Sequence, residues 1–219
     1  MQRVLDDPRF SDEIQVAVEY QIPQTAKRVD FIIAGANDAD QNNAIIVELK
    51  QWSSSKSTPR SGIVRAFTGG EERFVPHPSY QAYSYAKTIE NYNSAVEELS
   101  VGLHPCSYLH NYAKGQTTGV EDSVYADIVS KAPMFLKSDE KQMQDFIAGY
   151  VTRPSKTNIM HEMDNGKIRP SKALQDALCS MLQGNEEFVL LDEQKVVFEA
   201  VKSAMEYSLR NNKKVTIIV

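Results

Sequence analysis

The stretch VDFIIA at residues 29–34, followed by AIIVELK at residues 44–50, decides the fold of this chain. Both runs are short, rich in Val and Ile, and bounded by turn-forming residues, which is typical of buried β-strands. A third run of the same kind, VAVEYQI, precedes them at residues 16–22. Because the connections between the runs are short, we expect three consecutive antiparallel strands.

The rest of the chain mixes helical and strand patterns. Helices are predicted at residues 79–99, 139–151, 171–182 and 192–210, further strands at 106–112, 124–130 and 214–219, and a polar loop at 53–70. Strands followed by a long helix and more strands indicate an α/β domain, a mixed sheet flanked by helices, over residues 1–155. Residues 156–219 are predicted to form a helical C-terminal segment.

Composition limits the classes of protein to which the chain can belong. It has 219 residues, a formal net charge of −5 and 42% hydrophobic residues, which suits one large globular domain or slightly more. No apolar run approaches the ~18 residues that a membrane span needs, so we expect no membrane partner. Cys106 and Cys179 are too few for a disulfide framework, which favours a reducing cytoplasm. The acidic balance argues against a wholly basic surface but allows a local basic groove.

Charged residues interrupt the apolar strands at their ends. Glu48 and Lys50 are two residues apart on one predicted strand, so their side chains share a face. Pairing with the preceding strand can set Asp30 opposite either of them, although the sequence does not fix the register. Two neighbouring carboxylates suit Mg²⁺ or Mn²⁺, and a lysine beside them can orient a water molecule. The alternative is a solvated pair at a strand edge with no function.

The order of these residues resembles the PD-(D/E)XK nuclease signature, with Val29 at the position of its weakly kept proline. The wider sequence resembles the N-terminal nuclease-like domain of the Schlafen-group-3-like DNA/RNA helicases, bacterial proteins in which that domain precedes a P-loop motor. This resemblance is carried by EYQIP at 19–23, RVDFIIAG at 28–35, IVELKQW at 46–52, HPSYQAYSY at 77–85, LHNY at 109–112 and FVLLDEQ at 188–194.

The resemblance implies a restriction-endonuclease-like fold and a set of site residues. Asp30, Glu48 and the main-chain carbonyl of Leu49 would hold Mg²⁺ or Mn²⁺, and Lys50 would position the attacking water. That fold usually begins with a helix that often supplies another acidic residue, and only about a dozen residues precede the first predicted strand here.

Gln81 and Tyr85 lie four residues apart and therefore share a helical face. They resemble the Gln-x-x-x-Tyr element that lies near the metal and the nucleic-acid backbone in some exonuclease-type relatives. The alternative is that Tyr85 is a core aromatic residue and Gln81 its solvated neighbour.

Basic residues follow the predicted active-site strand. Lys56, Arg60, Arg65 and Arg73 could bind nucleic-acid phosphates, or they could be ordinary solvated surface residues.

The expected function is metal-dependent hydrolysis of phosphodiester bonds in nucleic acid, with DNA favoured over RNA, within a nuclease–helicase fusion. The alternative is a catalytically inactive module of the same fold that binds nucleic acid or a partner and regulates the motor. The expected partners are nucleic acid, the C-terminal motor of the same full-length chain, and in a third possibility a second copy of this chain. The Gly-rich phosphate loop of the family is absent from this sequence, so we expect no ATP hydrolysis. Residues 156–219 would be a helical connector followed by the first helix and strand of the motor, cut short in this sequence. Residues from about 170 onward are expected to pack loosely on the nuclease domain or to mediate contacts between chains.

Overall fold

The computed structural model describes residues 1–23, 25–116, 118–167 and 189–215. The helix predicted at 171–182 and most of the strand predicted at 214–219 lie outside these ranges. None of the helices within them is both long and apolar enough to cross a membrane.

The described residues form strands in two sheets. In chain order the strands are β1 (Gln15–Gln21), β2 (Arg28–Ala36), β3 (Asn42–Lys50), β4 (Lys56–Ser57), β5 (Ile63–Thr68), β6 (Glu71–Pro76), β7 (Gly102–Leu109) and β8 (Met134–Leu136). The larger sheet has five strands in the order β1-β2-β3-β7-β8. The pairs β1–β2 and β2–β3 are antiparallel, whereas β3–β7 and β7–β8 are parallel. The sheet is therefore mixed, and the three antiparallel strands predicted from sequence are confirmed.

Helices cover both faces of this sheet. The helices are α1 (Gln2–Leu5), α2 (Pro78–Tyr92), α3 (Ser94–Glu98), α4 (Ala126–Lys131), α5 (Glu140–Ala148), α6 (Ile159–Asn165) and α7 (Asp192–Asn211), and a 3₁₀ turn spans Ser123–Tyr125. Burial on both faces explains why β2 and β3 read as continuous apolar runs rather than alternating ones. The predicted fold class, a mixed sheet flanked by helices with a helical C-terminal segment, is confirmed.

The alternation of side chains along β2 and β3 separates two cores. Ile32 and Ile46 pack with Tyr85 and Ile89 of α2, whereas Ile33 and its odd-numbered neighbours pack on the opposite face. That second core includes Phe31, Ile45, Val47, Met143 and Ile147. Glu48 follows Ile46 by two residues, so the strand directs its side chain toward the α2 face.

The polar loop predicted at 53–70 is wrong for Lys56–Ser57 and Ile63–Thr68, which are strands of a second, three-stranded sheet in the order β4-β5-β6. Ile63 and Val64 of β5 are fully buried, and Val64 packs with Tyr112 and Tyr125. These apolar residues were the available strand signal, and the polar flanking sequence obscured it.

Three other elements differ from prediction. The strand predicted at 106–112 is β7, which begins at Gly102 and ends at Leu109. The helix predicted at 79–99 divides at Asn93, whose side chain accepts a hydrogen bond from the Ala95 amide and caps α3. The strand predicted at 124–130 is instead the 3₁₀ turn and α4, because Asp122 caps the Val124 amide and begins a helical turn. The predicted helices at 139–151 and 192–210 are confirmed as α5 and α7.

The first core continues beyond residue 155. Ile159 and Met163 of α6 are fully buried within it, and the Met163 carbonyl accepts hydrogen bonds from the Tyr20 hydroxyl and the Asn93 amide group. This helix was not predicted.

The described part of the C-terminal segment contacts the domain at residues 189–199, but Val197 and Phe198 are 48% and 51% exposed, so the expectation of loose packing stays a prediction. The Tyr80 hydroxyl donates a 2.9 Å hydrogen bond to the Leu190 carbonyl, and α7 contacts β5 and β6. Glu199 on α7 is only 4% exposed and binds Lys195 at 2.9 Å. The start of α7 is therefore part of the structure around the candidate site.

Candidate functional site

The register of β2 and β3 brings Asp30 near the end of β3. The ladder ends with Phe31 opposite Val47, and Asp30 and Glu48 are the next residues of the two strands. The Asp30 Oδ2 atom accepts a 2.8 Å hydrogen bond from the Leu49 amide. The sequence allowed Asp30 to lie opposite either Glu48 or Lys50. The structure has the register that brings Asp30 toward Glu48.

Glu48 is a buried carboxylate with one unsatisfied oxygen. The residue is 2% exposed, and Lys50 Nζ donates a 2.5 Å hydrogen bond to its Oε1 atom. Its Oε2 atom has no hydrogen-bond partner. Among the buried side-chain nitrogen and oxygen atoms of the described residues, only Oδ1 of Asp192 also lacks one. A bare buried carboxylate oxygen costs about 1–3 kcal/mol or more, so it marks a place where a cation or water would bind.

The surroundings of Glu48 favour its neutral form when no cation is bound. Burial is the main reason that the pKa of Glu48 is raised to about 8; the charges of Asp30 and Asp192 act in the same direction, and Lys50 opposes them. Because a cation must replace this proton, binding a metal here should release a proton below that pH.

We expect Glu48→Gln to stabilise the metal-free protein increasingly as pH rises. The folded-state pKa lies above the ordinary value, so the stability associated with Glu48 is complete below pH ~4.5 and is lost as pH rises through about 8. Relative to wild type, the variant should gain on the order of 2 kcal/mol in unfolding free energy between pH 5 and pH 8. Denaturant unfolding in EDTA at several pH values measures this change.

The exposed carboxylate Glu13 supplies the matched control. Glu13→Gln should show no comparable change with pH. If Glu48→Gln and Glu13→Gln gave the same pH profile, Glu48 would not carry the raised pKa.

Gln81 and Tyr85 lie on α2, above this end of the sheet. Tyr85 is 3% exposed and packs in the first core, yet its hydroxyl accepts a 2.9 Å hydrogen bond from Gln81 Nε2 and donates one of 2.8 Å to Asp192 Oδ2. Burial raises the pKa of Tyr85, so the phenol stays protonated and can donate. Tyr85 therefore combines the two alternatives raised by the sequence. Its ring is part of the core, and its hydroxyl is part of the candidate site.

Lys27 and Asp192, which no sequence pattern marked as site residues, lie together in the structure. Lys27 Nζ lies 2.8 Å from Asp192 Oδ2, the oxygen that also accepts from Tyr85. The segment at 188–194 had drawn attention only as part of the family resemblance. An aspartate in the first turn of a helix is ordinarily explained by its interaction with the helix dipole, so its sequence position carried no separate signal.

The predicted phosphate-binding residues lie together on the three-stranded sheet and its turns, but acidic neighbours occupy most of them. Lys56 contacts Glu72 at 2.8 Å, Arg65 contacts the same carboxylate, and Arg73 contacts Glu71 at 2.6 Å. The Arg60 guanidinium lies 4.4 Å from the centre of the Phe74 ring. These ion pairs are exposed, so each contributes about 0–1 kcal/mol and could exchange for a phosphate.

The donor atoms at Glu48 fit a hard divalent cation. Within the described residues, no three His, Cys, Asp or Glu side chains are gathered closely enough to enclose a metal ion. An ion would instead be held by the Asp30 and Glu48 carboxylates, the Leu49 carbonyl and water. Mg²⁺ commonly binds in this way, through one or two carboxylates and several retained waters.

No known protein family, curated protein or solved structure matches this chain.

Proposed function

We propose that this chain is a metal-dependent nuclease that hydrolyses phosphodiester bonds in nucleic acid, with DNA favoured over RNA. The observation that carries the proposal is the bare, buried Oε2 atom of Glu48, next to Asp30 and Lys50 at one end of the β2–β3 pair. The confirmed α/β fold with a mixed sheet is compatible with the restriction-endonuclease-like architecture that the sequence resemblance implies.

Each residue of the site would have a distinct role. Asp30 and Glu48 would bind Mg²⁺ or Mn²⁺ together with the Leu49 carbonyl. When bound, the ion would supply Lewis-acid activation of the phosphate and of water. Lys50 would leave Glu48 Oε1, orient the water and stabilise negative charge on the attacked phosphate. Gln81 and the protonated Tyr85 would steady the site or the nucleic-acid backbone by hydrogen bonding.

The wider assignment rests on sequence. The family resemblance supports a role as the nuclease part of a nuclease–helicase fusion, with the motor in the same full-length chain as its partner. The two cysteines support a cytoplasmic location. Lys56, Arg60, Arg65 and Arg73 would bind phosphates after releasing their acidic partners.

A second candidate is a catalytically inactive module of the same fold that binds nucleic acid or a partner and regulates the motor. It is favoured by the Lys50–Glu48 contact of 2.5 Å, which already occupies one oxygen of Glu48, and by the lack of a third close metal ligand among the described residues. In this candidate, substitution of the site residues would change only surface charge and packing.

The cation dependence of cleavage distinguishes the two candidates. We expect the protein to cut DNA with Mg²⁺ or Mn²⁺, to stop with EDTA, and to bind Ca²⁺ with little reaction, because the larger, looser shell of Ca²⁺ positions water poorly. Labelled single-stranded and double-stranded DNA and RNA, incubated with each ion, measure both the requirement and the preferred nucleic acid.

Failure to cut either nucleic acid with Mn²⁺ present would contradict the nuclease proposal and favour the inactive module. Cleavage that persisted in EDTA would contradict the role given to the ion.

A further inference from the structure

We propose that Asp192, the first residue of α7, is a third acidic member of the cation site around Glu48. The segment that follows the sheet domain would then help to bind the ion. This inference rests on the proposed nuclease function, because it concerns the same cation.

The first support is that Glu48 and Asp192 each have a buried carboxylate oxygen without a hydrogen-bond partner. Glu48 Oε2 and Asp192 Oδ1 are the two buried side-chain polar atoms that have no partner in the described part of the chain. Glu48 is 2% exposed and Asp192 is 8% exposed, so bulk water does not readily satisfy either atom. The negative charge of Asp192 is the smallest of the causes that raise the pKa of Glu48. A cation would remove both the repulsion and the two unsatisfied oxygens.

The second support is that Asp192 is held in place by its other oxygen. Its Oδ2 atom accepts a hydrogen bond from the Tyr85 hydroxyl and contacts Lys27 Nζ, each at 2.8 Å. These contacts fix the carboxylate and leave Oδ1 available. Tyr85 packs in the core on the side of the sheet to which β3 directs Glu48, so its hydroxyl links Asp192 to that side.

The third support is the backbone at this position. Asp192 has a φ of 36°, in the left-handed region that non-glycine residues rarely adopt. Such conformations cost on the order of 1–3 kcal/mol and cluster at functional sites. The strained backbone and the buried carboxylate therefore occur at the same residue.

Asp192 would act through water. Because the described residues do not gather three close protein ligands, the ion would keep part of its hydration shell, as Mg²⁺ usually does. The Asp192 Oδ1 atom would accept a hydrogen bond from that shell, and its charge would add to the attraction for the ion.

The test measures Mn²⁺ affinity directly by calorimetry and by electron paramagnetic resonance of the free ion, at a pH above 8. The protein is compared with Asp192→Asn, which keeps the shape of the side chain but removes its charge, and with Glu48→Ala. Glu193→Gln is the matched control, because Glu193 contacts the same lysine at 2.5 Å but its side chain is 81% exposed. Circular dichroism and thermal unfolding confirm that each variant is folded.

We expect Glu48→Ala to abolish Mn²⁺ binding, Asp192→Asn to weaken it about tenfold or more, and Glu193→Gln to change it less than about twofold.

Wild-type affinity in Asp192→Asn, with binding lost in Glu48→Ala, would overturn the role of Asp192 and leave the proposed metal site intact. Unchanged affinity with faster cleavage in Asp192→Asn would identify Asp192 as an inhibitory contact on Tyr85 instead. Equal weakening by Glu193→Gln would reduce the effect to general charge and also overturn the inference. Absence of Mn²⁺ binding by the wild type would overturn the nuclease proposal together with this inference.

Discussion

Glu48→Ala should abolish both Mn²⁺ binding and nucleic-acid cleavage. The substitution removes the carboxylate that carries the bare Oε2 atom and leaves Asp30 as the remaining carboxylate of the β2–β3 pair. Loss of the ion removes its activation of water and its stabilisation of the phosphate, so we expect the cleavage rate to fall more than about 10³-fold. Calorimetric titration with Mn²⁺ and a cleavage assay of the same preparation measure the two losses.

The same variant should remain folded. It removes a buried, incompletely paired carboxylate, and replacement of such a group at a functional site is often tolerated or stabilising. Glu13→Ala, at an exposed carboxylate, is the matched control and should retain binding and activity. Full cleavage by folded Glu48→Ala would contradict the proposed site.

Lys50→Ala should separate metal binding from catalysis. Lys50 contacts Glu48 Oε1 but is not among the proposed metal ligands, so the variant should still bind Mn²⁺. Cleavage should fall by about 10²-fold or more, the usual effect of removing one preorganised electrostatic group. Single-turnover cleavage at saturating Mn²⁺ measures the rate without a contribution from metal affinity.

Lys137→Ala is the control, since Lys137 is an exposed lysine. Its rate should match that of the wild type. If Lys50→Ala bound Mn²⁺ and cleaved at the wild-type rate, the catalytic role proposed for Lys50 would be contradicted. Its contact with Glu48 would then matter only in the absence of metal.

The three antiparallel strands β1, β2 and β3 could be predicted because the information that identifies them is local, whereas β8 and the parallel pairing of β3 with β7 were not predicted. The apolar runs identify β2 and β3, and alternation places Glu48 and Lys50 on one face. The register of β2 against β3 could not be fixed from the sequence, because several pairings of the two strands satisfy the same apolar pattern. It is the observed pairing of Phe31 with Val47 that brings Asp30 toward Glu48.

The missing parts of the prediction depend on contacts that are distant in sequence. Asp192 reaches Tyr85 across 107 residues of chain, and no periodic pattern links the two. β5 was assigned to a loop because Ile63 and Val64 are a short apolar pair within polar sequence. They are buried by Tyr112 and Tyr125, which lie much later in the chain.

The most direct test of the central claim is the anomalous scattering of crystals soaked in Mn²⁺ at a pH above the Glu48 pKa of about 8. The nuclease account predicts an anomalous peak bound by the Asp30 and Glu48 carboxylates, with Lys50 displaced from Glu48 Oε1. A map with no peak there, in which Lys50 Nζ still donates to Glu48, would contradict it.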